Sequence, residues 1–137
     1  MGQPTIFPVD QATITRKTGQ KAWALEYQQR RSKMGKEISI YNLADGVTDE
    51  QYQKYVKDIQ GPFLESLPSV RKFELVRIKG AVTGESPYTY VGILHVDNLD
   101  EFYQRDVPSQ QFQAFLKEVL PMIKQEGYHM MYGDEIY

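Results

Sequence analysis

The chain has 137 residues, a length that suits one domain able to bury a core without covalent staples. Its 16 Lys and Arg against 18 Asp and Glu leave a formal charge of −2, which excludes a global pull toward nucleic acid or an anionic membrane surface. Cysteine is absent, so disulfides, thiolate metal sites and a thiol nucleophile are excluded together, and the lack of a signal-like or spanning segment favours the cytoplasm.

Residues 1–33 read as an N-terminal extension. Pro4 and Pro8 interrupt its first apolar residues, and its six Lys or Arg face only Asp10 and Glu26. Its tail, Gly19 to Lys33, permits a helix through Ala22, Trp23, Ala24, Leu25 and Tyr27, with Trp23 available to pack on a neighbour. Basic residues without interleaved aromatics are weak grounds for a nucleic-acid arm.

A regular domain is expected over 34–137. Glu37 to Leu43 alternates like a strand and stops at the turn pair Asp45-Gly46. Thr48 and Gln51 form a capping box that opens a helix. Tyr52, Tyr55, Val56, Ile59 and Phe63 follow at the spacing of one helical face, and Gly61-Pro62 marks a break in it. Leu67-Pro68-Ser69 turns the chain into a strand over 70–78, and the loop of Gly80 to Pro87 leads to a third over 88–96. Asn98 and Glu101 cap a short helical turn carrying Phe102 and Tyr103. Ser109 caps a second main helix with Phe112, Phe115, Leu116, Val119 and Ile123 on its face, kinked or divided at Pro121. Gly127 ends it, and 128–136 makes the last strand. The order is β-α-β-β-α-β, the split βαβ arrangement of an α+β, ferredoxin-like domain.

Two helices cover one face of such a sheet. Here the strands carry apolar residues on both faces: Phe73 and Leu75 against Val70, Val76 and Ile78, then Tyr88, Tyr90, Leu94 and Val96 against Val91, Ile93 and His95. The last strand sets Tyr128, Met130 and Tyr132 against His129 and Met131. Strands apolar on both sides need cover on both sides, and a second copy packed sheet to sheet supplies it most economically. A homodimer is therefore expected, with a long loop or the extension as the other available cover.

The run Gln60-Gly-Pro-Phe-Leu-Glu-Ser-Leu-Pro-Ser-Val70, followed by Phe73 and Arg77, is similar to the EthD-like pattern His-Gly-Pro-Leu-x-x-x-Leu-Pro-Gly. The segment Leu67-Pro-Ser-Val70 to Arg77, with Tyr90-Val-Gly-Ile-Leu-His-Val-Asp-Asn-Leu-Asp-Glu-Phe102 and Pro108-Ser-Gln-Gln-Phe112, resembles the REDY-like proteins of the HapK type. Both point to the dimeric α+β barrel superfamily over roughly 36–137. The resemblance implies a ligand cleft between helices and sheet, and REDY-like proteins accompany secondary-metabolite pathways, including prodigiosin-type pyrrole biosynthesis. Two departures stand out. Gln60 occupies the place of the EthD-like helix His, and Asp58-Ile59-Gln60-Gly61 stands where an Arg-Glu-Asp-Tyr run would lie. A Gln cannot exchange protons near neutrality, although it can orient a carbonyl or phenol.

On that resemblance, His95 is the candidate general base, provided its strand face looks toward the helices. The alternative is a His held by a hydrogen bond within a tight sheet, and the same pair of readings applies to His129. Tyr41, Tyr55, Gln60, Phe63, Tyr90 and His129 are the candidate substrate contacts, the phenols serving as oxyanion donors or stacking surfaces. Their structural alternative is plain core packing. Arg71 and Arg77 share a strand face and could clamp an anion, or simply lie solvated at a strand edge. Two separated His with no Cys argue against a metal, and phosphate-loop, dinucleotide and hydrolase-elbow spacings are missing, so no cofactor is expected. The expected function is a homodimer binding a small apolar or aromatic metabolite. It would act as a cofactor-free oxygenase or cyclase on a flat aromatic, pyrrole-like or polyketide-like molecule. The rival is a non-catalytic carrier, pathway chaperone or stress-related dimer.

Overall fold

A computed structural model describes residues 22–26 and 33–137. Residues 22–26 are helical and Trp23 is exposed; the rest of the expected extension up to residue 32 lies outside the described residues. Strand β1 (Gly35–Tyr41) leads through helix α1 (Asp49–Tyr55), a π-helical segment (Val56–Gln60) and α2 (Gly61–Glu65) to β2 (Val70–Arg77). Strand β3 (Tyr90–Val96) is followed by the short α3 (Leu99–Glu101), a second π segment (Phe102–Asp106), α4 (Gln110–Val119), a 3₁₀ turn (Leu120–Met122) and β4 (His129–Asp134). The strands form one antiparallel sheet in the order β2-β3-β1-β4. This is the ferredoxin-like β-α-β-β-α-β arrangement expected from the punctuation of the chain.

The caps form as their residue types require. Thr48 accepts from the Gln51 amide at 3.1 Å while the Gln51 side chain accepts from the Thr48 amide at 3.0 Å. Asn98 caps α3 through the Glu101 amide, and Ser109 caps α4 through the Phe112 amide. Each cap satisfies an amide that has no partner inside its helix. Gly127 turns the chain toward β4 at φ +80°, a conformation that disfavours any side chain.

Two departures from simple periodicity shape the interior. In the first, the Gly61 amide reaches the Val56 carbonyl, five residues back, where Pro62 has no amide to continue an α-helical ladder. The wider turn shifts the frame by a residue. Ile59, expected on the inner face, is 44 % exposed, while Gln60 and Leu64 are buried. In the second, a bulge between Val70 and Lys72 opposes Val70 to Val96 and Lys72 to His95. The extra residue re-aims Val70, which is buried in the core with Val96 rather than sharing the outer face with Val76.

The core lies between the helices and one face of the sheet: Tyr41, Tyr90, Leu94 and Val96 from the strands meet Tyr52, Leu64, Phe102, Phe112, Phe115 and Val119 from the helices. The opposite face presents Ile38, Ile40, Val91, Ile93, Val76 and Met131, with Val76 and Met131 about half exposed. Asp106 is a buried polar anchor of the domain. It accepts from the Ser69 amide at 3.0 Å and from Arg105 at 3.0 Å, which ties the second π segment to the start of β2.

Candidate functional site

Strand alternation decides which residues meet the helices. On β1 these are Glu37, Ser39 and Tyr41, opposite Leu94, Gly92 and Tyr90 on β3. Between this face and the helices lies a cavity of about 170 Å³, with Glu37, Ser39, Tyr41, Gly92 and Leu94 on its sheet side. Phe112, Phe115, Leu116 and Val119 of α4, with Tyr103, Gln60, Tyr128 and Met130, complete its walls. An apolar cavity of about 150 Å³ holds a benzene ring, so this space suits one flat ring with small substituents. Gly92 keeps it open: a Cβ there would lie 2.7 Å from the Ser39 hydroxyl and 3.7 Å from Phe73.

One end of the cavity is bounded by a chain of neutral polar groups. Tyr52, fully buried, donates to Gln60 Oε1 at 3.1 Å, and its hydroxyl lies 2.5 Å from that of Tyr41. A phenol has one proton, so Tyr41 donates to Tyr52 and Tyr52 to Gln60. Burial, first, raises the Tyr41 and Tyr52 phenols above their ordinary value, which keeps both protonated at neutral pH. Gln60 spends its carbonyl on Tyr52, so its amide nitrogen is what it can offer a ligand.

The other end carries an acid. Glu37 accepts from the Tyr103 hydroxyl at 2.7 Å through Oε2. Burial raises the Glu37 carboxyl above its ordinary value of 4.5, and the Tyr103 hydrogen bond only partly opposes that. Burial also raises Tyr103, reinforced by the hydrogen bond to Glu37, while Tyr128 is pushed up to about 12 by burial and then by the Glu37 charge. Among the lining residues Glu37 is the one carboxyl.

The expected site residues divide accordingly. Tyr41 and Gln60 line the cavity. Tyr90 stacks on Tyr41 with ring centroids 5.9 Å apart and donates to Asp49 at 2.7 Å, so it supports the wall from behind. Asp49 is held below the usual carboxylate range by Arg77 first and by Tyr90 second. Phe63 stacks on Phe115 at 4.9 Å, and Tyr55 donates to Glu118 at 2.9 Å; both brace the helices against each other and do not line the space.

His95 and His129 are placed elsewhere. The Tyr-rich strand face looks toward the helices, so the His face looks away from them, and neither imidazole lines the cavity. Nε2 of His95 lies 2.8 Å from Glu74 Oε1 on the outer face, and His129 meets the edge of Tyr88. Alternation puts Leu94 inward and His95 outward, and no rotamer reverses that. The arginines do not converge either. Arg77 pairs with Asp49 at 2.7 Å, and Arg71 with Asp97 at 3.1 Å. Among the described residues no three His, Asp or Glu side chains gather as a metal site would, and no helix is long and apolar enough to cross a membrane.

Glu37 and Tyr103 were not among the expected contacts. Their signal was present: Glu37 shares the Tyr41 face of β1 by period two, which makes it a charged residue on a strand's inner side. Tyr103 depends on the second π segment, which local spacing does not announce.

This fold and cavity belong to the dimeric α+β barrel class of ferredoxin-like proteins. The family model for the REDY-like protein HapK matches residues 36–136, and the chain belongs to that family. Among solved structures, HapK from Hahella chejuensis is similar at 18% identity, over 74% of this chain and 92% of that one, with a TM-score of 0.61. An ethyl tert-butyl ether D (EthD) family protein from Bacillus halodurans is similar at 19% identity, over 75% of this chain and 99% of that one, with a TM-score of 0.61. A dimeric ferredoxin-like protein of unknown function from Thermobifida fusca is similar at 16% identity, over 74% and 91%, with a TM-score of 0.57. No curated protein matches the chain.

Proposed function

We propose that the chain is a homodimeric small-molecule-binding protein that holds one flat, largely apolar ring molecule between helices and sheet in each subunit. The carrying observation is the aromatic-walled cavity kept open at Gly92, with Glu37 toward one end, Gln60 toward the other and Ser39 between them. Sites for small molecules have this composition: apolar walls and a few convergent polar groups that set orientation. Ring stacking and dispersion would hold the ligand, while the Gln60 amide, set by the Tyr41–Tyr52 chain that occupies its carbonyl, orients a carbonyl or phenol oxygen. The homodimer is inferred from the outer sheet face, whose apolar Ile38, Ile40, Val91 and Ile93 point away from α1–α4, and it agrees with the dimeric neighbour.

Membership of the HapK family supports a place in secondary metabolism, with a cofactor-free step on an aromatic, pyrrole-like or polyketide-like metabolite. A carrier without catalysis is the second reading, favoured by two observations: neither imidazole reaches the cavity, and Gln60 stands where a helix His would be.

Indole is a suitable probe for the binding reading, followed by amide chemical shifts and sedimentation velocity on the full chain. Shifts centred on Gly92, Leu94 and Gln60, in a particle of dimer mass, are expected. Val76→Asp with Met131→Asp should dissociate that particle. Shifts confined to the outer face, or a monomer at all concentrations, would refute the corresponding half of the proposal.

A further inference from the structure

We propose that Glu37 is the general base of the cavity, held by Tyr103 and directed at a ring substrate that carries an acidic C–H or N–H. The inference rests on the binding reading and names the chemistry of the same site.

The placement makes the case. Glu37 is the one carboxyl lining a space walled mostly by aromatic and aliphatic side chains, with Ser39 and Gln60 the other polar non-aromatic groups. Tyr103 engages Oε2 alone, so the carboxyl is fixed in rotation while Oε1 remains for a substrate proton. Tyr103 is itself held in place, with its ring 5.0 Å from Phe102 and 5.5 Å from Tyr132. Glu37 and Tyr41 lie four residues apart on one strand face, about 13 Å between Cα atoms at the usual strand rise. Once the side chains lean inward, a single ring fits between the carboxyl and the Tyr41 ring with the Gln60 amide beside it. A proton taken at one end leaves an electron pair that can settle on an oxygen at the other, where the Gln60 amide N–H can receive it.

The groups facing Glu37 are Tyr103 from the π segment, Tyr128 and Tyr132 from or beside β4, and Tyr41 on its own strand. The helix α4, β2 and β3 contribute only Phe112, Phe115, Phe73, Leu94 and their apolar neighbours. Phenols ordinarily titrate near ~10, so between pH 4 and 8 the carboxyl is the group whose protonation changes. Desolvation raises Glu37 from 4.5, which makes it a stronger base than a solvated carboxylate.

The test uses 5-nitrobenzisoxazole, a ring carbon acid that needs no co-reactant. Glu37 Oε1 takes the C3 proton, and the C–H electron pair becomes part of the nitrile. The N–O bond breaks, and its pair leaves on the phenolate oxygen, whose colour reports the rate. Wild-type protein should eliminate this probe with a rate that rises with pH through a midpoint above 4.5. Glu37→Gln should lower kcat/KM by ~10²-fold or more, while still binding indole with the wild-type shift pattern. Tyr103→Phe should lower kcat/KM less than Glu37→Gln does and move the midpoint upward, because the carboxylate loses the donor that holds and stabilises it. Indole binding without elimination, or a rate unchanged in Glu37→Gln, would overturn this inference alone. Failure of wild type to bind either probe in the cavity would overturn it together with the binding reading.

Discussion

Replacing Tyr52 by Phe removes one oxygen from the centre of a three-member hydrogen-bond chain. Tyr52 is fully buried, and its hydroxyl both accepts from Tyr41 and donates to Gln60. The ring still fills its place, so packing is nearly unchanged, but a buried Tyr41 hydroxyl and the Gln60 carbonyl each lose a partner. Each orphaned group costs ~1–3 kcal/mol, and the sum after relaxation should be ~2–4 kcal/mol. Tyr41→Phe takes away one donor and leaves the Tyr52–Gln60 bond intact, a loss of ~1 kcal/mol. In the Tyr52→Phe background, Tyr41→Phe should cost nothing or restore stability, because the hydroxyl it removes has no partner left. The coupling between the two positions should therefore reach ~1–2 kcal/mol. Urea unfolding followed by circular dichroism checks this, at one protein concentration because a dimer unfolds by mass action. With m of ~2 kcal/mol/M, Tyr52→Phe should move the midpoint by ~1–2 M. Additive losses, or a Tyr52→Phe midpoint equal to wild type, would refute the chain of donors.

Gly92→Leu should lower indole affinity by at least ~10-fold, since its Cβ alone meets Ser39 at 2.7 Å and the remainder must enter the cavity; unchanged affinity by titration calorimetry would place the ligand elsewhere. Glu37 gives a pH signature in stability. Its carboxyl is raised above 4.5 in the fold, so its favourable contribution is complete below that value and is lost as pH rises through the folded value. Glu37→Gln lacks that loss, and its stability relative to wild type should grow with pH across the window, by at most ~1.4 kcal/mol per pH unit. A flat difference between the two urea curves over pH 4–8 would contradict the burial of the acid. Asp106→Ala should destabilise by ~1–3 kcal/mol, since it orphans the buried Ser69 amide, while the half-exposed Arg105 keeps Glu101 and water. A thermal melt within 2–3 °C of wild type would show that the joint is not a structural anchor.

Periodicity, caps and turn residues belong to the chain itself. Thr48 with Gln51, Asn98 with Glu101 and Ser109 each bond their own backbone within three residues, so local chemistry announces where helices begin. Period-two alternation likewise tells which residues of β1 and β3 share a face, and Gln60-Gly-Pro with the Leu67-Pro-Ser run carries the family likeness. Alternation does not say which face the helices cover. That depends on both helices packing against the sheet together, and it sends Leu94 inward and His95 outward. The two frame shifts are of the same kind. Pro62 predicts a break, but only the packed core turns it into a π segment that buries Gln60 in place of Ile59. The bulge that brings Val70 to Val96 depends on β2 pairing with a strand some twenty residues away. Glu37 becomes a cavity acid through Tyr103, sixty-six positions distant, and through walls supplied by α4. The sequence by itself determined the elements, their order and the residues able to do chemistry. Only the tertiary structure decided which of them meet, because burial and pKa are set by neighbours that are remote along the chain.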